Sequence, residues 1–333
     1  AYTLRSIATP GLRKDLRRAR NDSDLGYARL LADMFRAWRR HATSPGDYVV
    51  FQMWALPDED RGKYASTLQM YRYQRWANDR RARQILRDKR QFRRVFSDYL
   101  LNDAIDLDSS SDVCGWVDKT RPHMVAAKAP LDQAGRGVHI ATLKRTAQGW
   151  QADDIPWQEF VKRSRDAGRT LLEEGLRQHS SLDRLNPTSI NTVRIITRLR
   201  PDGSVQVVSA ALRVGVAGRM DNFAAGGLTC PLDPVTGVVR GPFCSKGPSP
   251  GDGSYIHPSS GLSIEGLVMP FWDAVLVMIR DAATRVPRVR TVGWDVVIGP
   301  DGPGLVEGND NWDKTHWQKA EGTPKGDVIR AWW

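Results

Sequence analysis

Residues 292–309 read VGWDVVIGPDGPGLVEGN, with strand-forming runs on both sides of Gly299-Pro300-Asp301-Gly302-Pro303; that dense turn signal makes the stretch a β-hairpin. If Ile298 pairs with Gly304, the antiparallel register is centred on Asp301 and sets Asp295 opposite Glu307, on one face. Asn309 stands two residues beyond Glu307 and shares that face. Two carboxylates opposed at about 5 Å repel unless a cation lies between them, and a hard divalent ion suits carboxylate and amide oxygens. Taken alone, the hairpin is equally compatible with an acidic pair that faces water.

Around it lies a chain of 333 residues, 41% apolar, which is enough for a sizeable core and for one large domain or two to three modest ones. The most apolar stretch, Leu262–Ile279, is broken by Glu265, Pro270 and Asp273 and does not read as a membrane span. The first twenty residues lack the apolar run of a secretory signal. Cys114, Cys230 and Cys244 have no metal-type spacing and are odd in number, so the chain is expected to be cytoplasmic rather than a disulfide scaffold.

The net charge of +11 comes entirely from residues 1–100, where 22 Lys and Arg face 11 Asp and Glu. Asp24–Ala42 has a helical stripe of Leu30, Leu31, Met34, Phe35 and Trp38. Asp47–Trp54 reads as a short strand or the start of a further helix, and Asp60–Leu101 as one or two long basic helices. Clustered arginines with interleaved aromatics admit nucleic-acid binding through counterion release. No nucleic-acid motif accompanies the charge, so an arginine-rich face that is solvated or packs on acidic surface, with the aromatics in the core, is the simpler reading.

From Met124 the pattern turns to strands and glycine loops. Met124–Ala129 and Val138–Leu143 flank Asp132–Gly137, a Gly-containing flap whose backbone N–H groups suit phosphate. Pro156–Arg169 reads as a helix, and Arg169–Glu174 as a strand ending in acid. Asn191–Val216 forms a second hairpin centred on Asp202, a register that sets Asn191 opposite Arg213 and turns Arg194 to the other face. Leu228–Leu262, rich in Gly and Pro, is either a lid or a flexible insertion. A helix is expected from Pro270 to about Arg285.

Lys128 before a Gly flap, the LLEE strand end, two hairpin arginines, the NFAAGG segment and the Asp…Glu-x-Asn hairpin together resemble the ATP-grasp superfamily. The wording of LNPTSINTVRIIT, HPSSG, MPFWD and the opening hairpin is most similar to its sugar-transfer-associated branch, which is alpha-L-glutamate ligase-like. The resemblance spans about residues 85–310. It implies an α+β fold of two lobes whose antiparallel sheets clasp ATP, with residues 101–176 as the small lobe, 177–333 as the large lobe, and a basic helical region (1–100) before them.

Residue by residue, the resemblance implies that Lys89 and Lys128 bind the nucleotide and that Gln133, Gly135 and Gly137 form the flap over its phosphates. It makes Glu173, Glu174 and Leu176 the adenine hinge, and Asp295, Glu307 and Asn309 the Mg²⁺ ligands. Arg194 and Arg213 would approach the γ-phosphate or the reacting carboxyl, where a permanent planar cation suits an oxyanion. Asn222, Gly226 and Gly227 would offer backbone donors at close approach. The implied reaction is ATP-dependent joining of a small-molecule carboxylate and an amine through an acyl phosphate, with no membrane partner. A kinase on the same fold, or a basic nucleic-acid-binding protein, are the alternatives. Trp312, Trp317, Trp332 and Trp333 suggest an aromatic acceptor pocket, although tryptophans serve equally well in cores.

Overall fold

The computed structural model describes residues 11–107, 111–132, 137–216, 221, 223, 226–247 and 250–333. Strands β1 (Ala104–Asp106), β2 (Met124–Lys128), β3 (Val138–Thr146), β4 (Gly149–Ala152), β5 (Ile155–Pro156) and β6 (Leu171–Glu174) make one antiparallel sheet in the order β1-β6-β2-β3-β4-β5. Val125, Ala127, Ala141 and Leu172 bury its inner face against Trp157, Phe160 and Val161 of the helix Trp157–Asp166.

The second sheet has the order β11-β10-β7-β8-β9, from β7 (Thr192–Leu199), β8 (Val205–Val214), β9 (Leu228–Leu232), β10 (Thr291–Ile298) and β11 (Pro303–Asn309). Every residue of β10 is buried, so the alternation of the strand separates two inner faces. Val292, Trp294, Val296 and Ile298 join Val193, Ile195 and Leu212 over the helix Trp272–Arg285, which supplies Val275, Ile279, Ala282 and Ala283. Gly293, Asp295 and Val297 point the other way. The larger apolar core lies on one side of this sheet, and the other carries the charged site and a smaller apolar cluster around Ile196, Trp312 and Trp317.

The amino-terminal third is helical but in short pieces. Asp60–Leu101 is broken into Thr67–Ala77, Gln84–Arg87 and Lys89–Val95, not the one or two long helices expected. Asn78 ends the first by donating its amide to the carbonyls of Thr291 (2.9 Å) and Asp310 (2.8 Å), and Asp88 caps the last at Arg90 N. Pro45–Val50 is a helix with a Ser44/Asp47 capping box, where the sequence admitted a strand. In Tyr27–His41, Leu30 and Met34 are buried, whereas Leu31 and Phe35 are 48% and 53% exposed, so the stripe is narrower than its spacing suggested.

Two open questions of the sequence are decided by burial. Among its described residues the segment after β9 has no further strand or helix before Trp272, yet Phe243, His257, Ile264 and Met269 are buried and short β-bridges tie Val238 to Val268 and Ile256 to Ser263. It is an anchored part of the core. Trp312, Trp317 and Trp332 are 2–6% exposed and pack with Met70, Tyr73 and Ile329, joining the amino-terminal helices to the carboxyl end; they are core residues, not an aromatic pocket. Trp333 alone is exposed, stacked on Trp76 at 6.1 Å. All three cysteines are free, and among the described residues no helix is long and apolar enough to cross a membrane.

Candidate active site

The opening hairpin forms as β10 and β11, with Asp295 opposite Glu307 and Gly293 opposite Asn309. Nearer the turn, Ile298 pairs with Pro303 rather than Gly304, because the register shifts by one after Asp295. That bulge absorbs Val306 and leaves the acidic pair where the simple register put it.

A second bulge changes a reading. Between β7 and β8 the pairing is centred on Asp202 only as far as Thr197 opposite Val207; beyond it Ile196 pairs with Ser209 and Thr192 with Arg213. Thr192, not Asn191, therefore faces Arg213, and Arg194 turns to the same face as Arg213. Asp295 is the cross-strand partner of Arg194. Arg194 grips it through Nε (2.5 Å to Oδ1) and Nη2 (3.0 Å to Oδ2), and Arg213 Nη1 donates to Oδ2 at 2.9 Å. Neither arginine is an idle strand residue.

Burial alone would raise the Asp295 carboxyl, but the two guanidiniums outweigh it and hold the group far below the usual carboxylate range. Glu307 moves the other way: burial first, then the Asp295 charge, push it up. Its carboxyl bonds with Asp295, which favours keeping a proton on Glu307, and Asn309 Nδ2 donates to Glu307 Oε1 at 3.0 Å. Asp221, raised by its burial, accepts from Thr192 N (3.0 Å), and its carbonyl accepts from Arg213 Nε (3.0 Å).

Glu307 and Asn309 also line a narrow cavity of about 60 Å³ with Lys89, Lys128, Glu173 and Asp132. Five residues singled out in the sequence, spread over 220 positions, thus meet at one place. Lys128 Nζ binds Glu173 Oε2 at 2.5 Å, with Arg93 3.8 Å from the other oxygen. Lys89 Nζ donates to the carbonyls of Ala129 (3.0 Å) and Asp132, and its burial lowers its affinity for a proton. Both lysines rest on protein acceptors that a phosphate group can replace.

The hinge assignment fares differently for its three members. Glu173 is in the cavity wall, but its carboxylate is spent on Lys128, and β6 is an inner strand paired on both sides by β1 and β2. Glu174 N–H donates to Asp103 O (2.9 Å), and its carbonyl accepts from Asn102 Nδ2 (2.7 Å). Glu174 and Leu176 lie outside the cavity lining. Gly137 has φ +70°, and a Cβ there would sit 2.6 Å from Asp132 Oδ2. Gln133, Gly135 and Asn222 lie outside the described residues. Gly226, at φ +97°, lines a different cavity, and Gly227 is buried just before β9.

Glu307 and Asn309 are a carboxylate and an amide beside the lysine cavity, a donor set that fits Mg²⁺, which takes one or two carboxylates and fills its octahedron with water and phosphate oxygens. Asp295 has both oxygens bonded to the arginines, which it holds in place beside Glu307. Among the described residues no three His, Cys, Asp or Glu groups form a metal cluster by themselves.

Sequence reasoning missed His316. It packs edge-on to Phe223 at 5.1 Å, and Thr229 Oγ1, whose own proton goes to Leu212 O, accepts from His316 Nε2 at 2.8 Å. Burial first, and then Arg194 and Arg213, push its pKa down to about 3, so it is neutral. Its partners lie 87 residues away and beyond, and nothing local to THW marked it. Gly293 is a structural counterpart: a Cβ there would meet Trp312 Cβ at 2.6 Å. Gly293→Ala is expected to cost about 1–3 kcal/mol, read from urea unfolding, because a Cβ atom cannot swing aside; an unchanged midpoint would contradict that packing.

A family model described as sugar-transfer associated ATP-grasp matches residues 68–325. No curated protein matches the chain. Among solved structures, the ATP-grasp ligase PsnB complexed with minimal precursor is 15% identical, with 85% of this chain and 72% of that one covered and a TM-score of 0.45. A biotin carboxylase complex from Campylobacter jejuni is 9% identical, covering 75% and 46%, with a TM-score of 0.46. D-alanyl-alanine synthetase A from Vibrio cholerae is 10% identical, covering 68% and 56%, with a TM-score of 0.39.

Proposed function

Because the chain belongs to the sugar-transfer associated ATP-grasp family, we propose that it is an ATP-dependent ligase that joins a carboxylate to an amine. The carboxylate attacks the γ-phosphorus, ADP leaves, and the amine displaces phosphate from the acyl phosphate. The observation that carries this reading is the meeting of Lys89, Lys128, Glu307 and Asn309 on one cavity, with Asp295 joining Glu307 to the arginine pair.

Lys128 and Lys89 exchange Glu173 and the backbone carbonyls for phosphate oxygens. A cavity of about 60 Å³ is far below the roughly 300–1,000 Å³ of small-molecule sites, so nucleotide binding separates Lys89 from Asp132. Bound Mg²⁺, on Glu307 and Asn309, supplies charge neutralisation at the phosphates. Asp295 fixes Arg194 and Arg213 through three of their N–H groups, leaving Arg194 Nη1 for the reacting oxyanion, while Arg213 Nη2 stands 3.7 Å from Asp221 Oδ1. A clamp already oriented costs no reorganisation when charge develops.

The test is ADP release by the purified protein with ATP, Mg²⁺, hydroxylamine and a pool of carboxylic acids. A hydroxamate formed in step with ADP supports the ligase. ADP release with a phosphorylated product that survives hydroxylamine would make it a kinase, and no ADP with any acid would overturn the assignment.

A further inference from the structure

A second cavity, of about 530 Å³, lies where the amino-terminal helices meet the segment after β9 and the chain after the metal hairpin. Its volume is that of a small-molecule site, unlike the tight lysine cavity. The helix Gly11–Asn21 contributes Lys14, Asp15 and Arg18, and the strap after Cys244 contributes Lys246 and Gly247.

Of the acids in the wall Asp47 is spoken for; of the bases, Lys314 is held by Asp47, while Arg18 meets Asp22 only at 3.6 Å. Asp47 is neutralised by Lys314 and by Thr67, whose N–H and hydroxyl donate at 2.9 and 2.8 Å. Asp313 caps the next helix at Thr315 N (2.7 Å) and only loosely meets Lys246 (3.4 Å). Burial raises the Asp15 carboxyl and so favours its neutral form. Lys14 is exposed, with no ion-pair partner among the described residues. Arg18 is fixed in place, since Nη2 donates to Lys246 O at 3.3 Å and the backbone at Gly247 packs so close that a Cβ would be 2.8 Å from Nη1. Its Nε is buried without a hydrogen bond among the described residues.

Neither arginine of the pair lines the cavity, and the link toward them runs through His316. Phe223 and Thr315 line the cavity, and His316 behind them feels the charge of Arg194 and Arg213. Gly226, just before β9, also lines the cavity, and Thr229 of β9 pairs with Arg213.

Resting on the ligase reading, we propose that this cavity holds the far end of the substrate, an acid with two anionic groups. The reacting carboxylate passes Gly226 to Arg194 and Arg213, and the distal carboxylate or phosphate is bound by Lys14, Arg18 and Lys246. A monoacid fills only half of this site.

The experiment titrates the full chain calorimetrically with glutarate, 3-phosphoglycerate and butyrate, and measures ADP release with each in the presence of ATP and Mg²⁺. The same is done for Lys14→Ala, Lys246→Ala and the milder Lys246→Gln. One of the two-ended probes, glutarate or 3-carbon phosphate ester, should bind at least about tenfold tighter than butyrate, and each substitution should remove about tenfold while the affinity for a non-hydrolysable ATP analogue stays constant. Which probe wins separates a distal carboxylate from a distal phosphate. Equal binding of all three, or variants that bind like the parent, would overturn the proposal even if ADP is released. Tight, lysine-dependent binding without ADP release by any acid would instead keep the cavity and sink the ligase reading.

Discussion

Arg213→Ala is expected to destabilise the protein by about 3–5 kcal/mol, because it leaves buried carboxylates without their cation. Arg213 is buried and bonded to Asp295, with Asp221 3.7 Å away, and both carboxylates are themselves buried. Arg194 alone cannot replace it, since its fork already holds the other side of Asp295. Arg213→Lys restores a charge but not the fork, so it should recover part of the stability and little of the activity.

The acid limb gives an independent reading of the same substitution. The Asp295 carboxyl lies below its usual range in the folded protein, so it adds stability that is fully present above its unfolded pKa, about 3.9, and is lost as pH falls below it. Without Arg213 that contribution shrinks, and the acid-unfolding midpoint should move to higher pH. Circular dichroism in urea at neutral pH and along an acid titration measures both effects. A loss under about 1 kcal/mol with an unmoved acid limb would show that the arginine is not holding Asp295.

These two arginines also mark where the sequence was legible. Turn residues and alternation locate both hairpins, and the register counted from each turn is right close to Asp202. A β-bulge carries no residue signature of its own, and each extra residue flips every side chain beyond it. In β7–β8 the bulge at Thr197 therefore moved Arg194 onto the face of Arg213, which counting from the turn denied. In β10–β11 the bulge lies on the turn side of Asp295, and the pairing with Glu307 is the one that alternation gives.

The long-range parts were illegible for another reason. Lys314 with Asp47, Gln69 with Gly326 and Arg87 with Asp310 join segments more than 200 residues apart, and no local pattern encodes such pairs. The basic first third looked like a surface field, yet Arg87, Arg90 and Arg93 spend their charge on Asp310, Asp106 and Glu173 inside the fold. By contrast the family resemblance assigned Lys89 and Lys128 to one nucleotide site, and the two line the same cavity, because matched motifs carry spatial information that composition lacks.

Glu307→Gln should change stability and activity in opposite directions. Burial and the Asp295 charge raise the Glu307 pKa in the folded protein, so its contribution to stability is present below its unfolded value, about 4.3, and is lost as pH rises through the folded one. As the pH rises through that folded value the ionised group comes to face Asp295 with no cation between them, and the uncharged amide, of the same shape, removes that repulsion. The variant is therefore expected to be more stable than the parent by about 1 kcal/mol without nucleotide, with the difference shrinking toward pH 5. ADP release should nevertheless fall by about 10²–10³-fold, the scale for losing one charge-stabilising group. Mg²⁺ with an ATP analogue should raise the melting temperature of the parent much more than that of the variant. A purely structural acidic pair has no reason to keep an arrangement that its own neutral isostere improves, whereas a cation site pays that repulsion until the ion arrives. A variant that is less stable at pH 8, or that releases ADP at the parent rate, would remove Glu307 from the metal site.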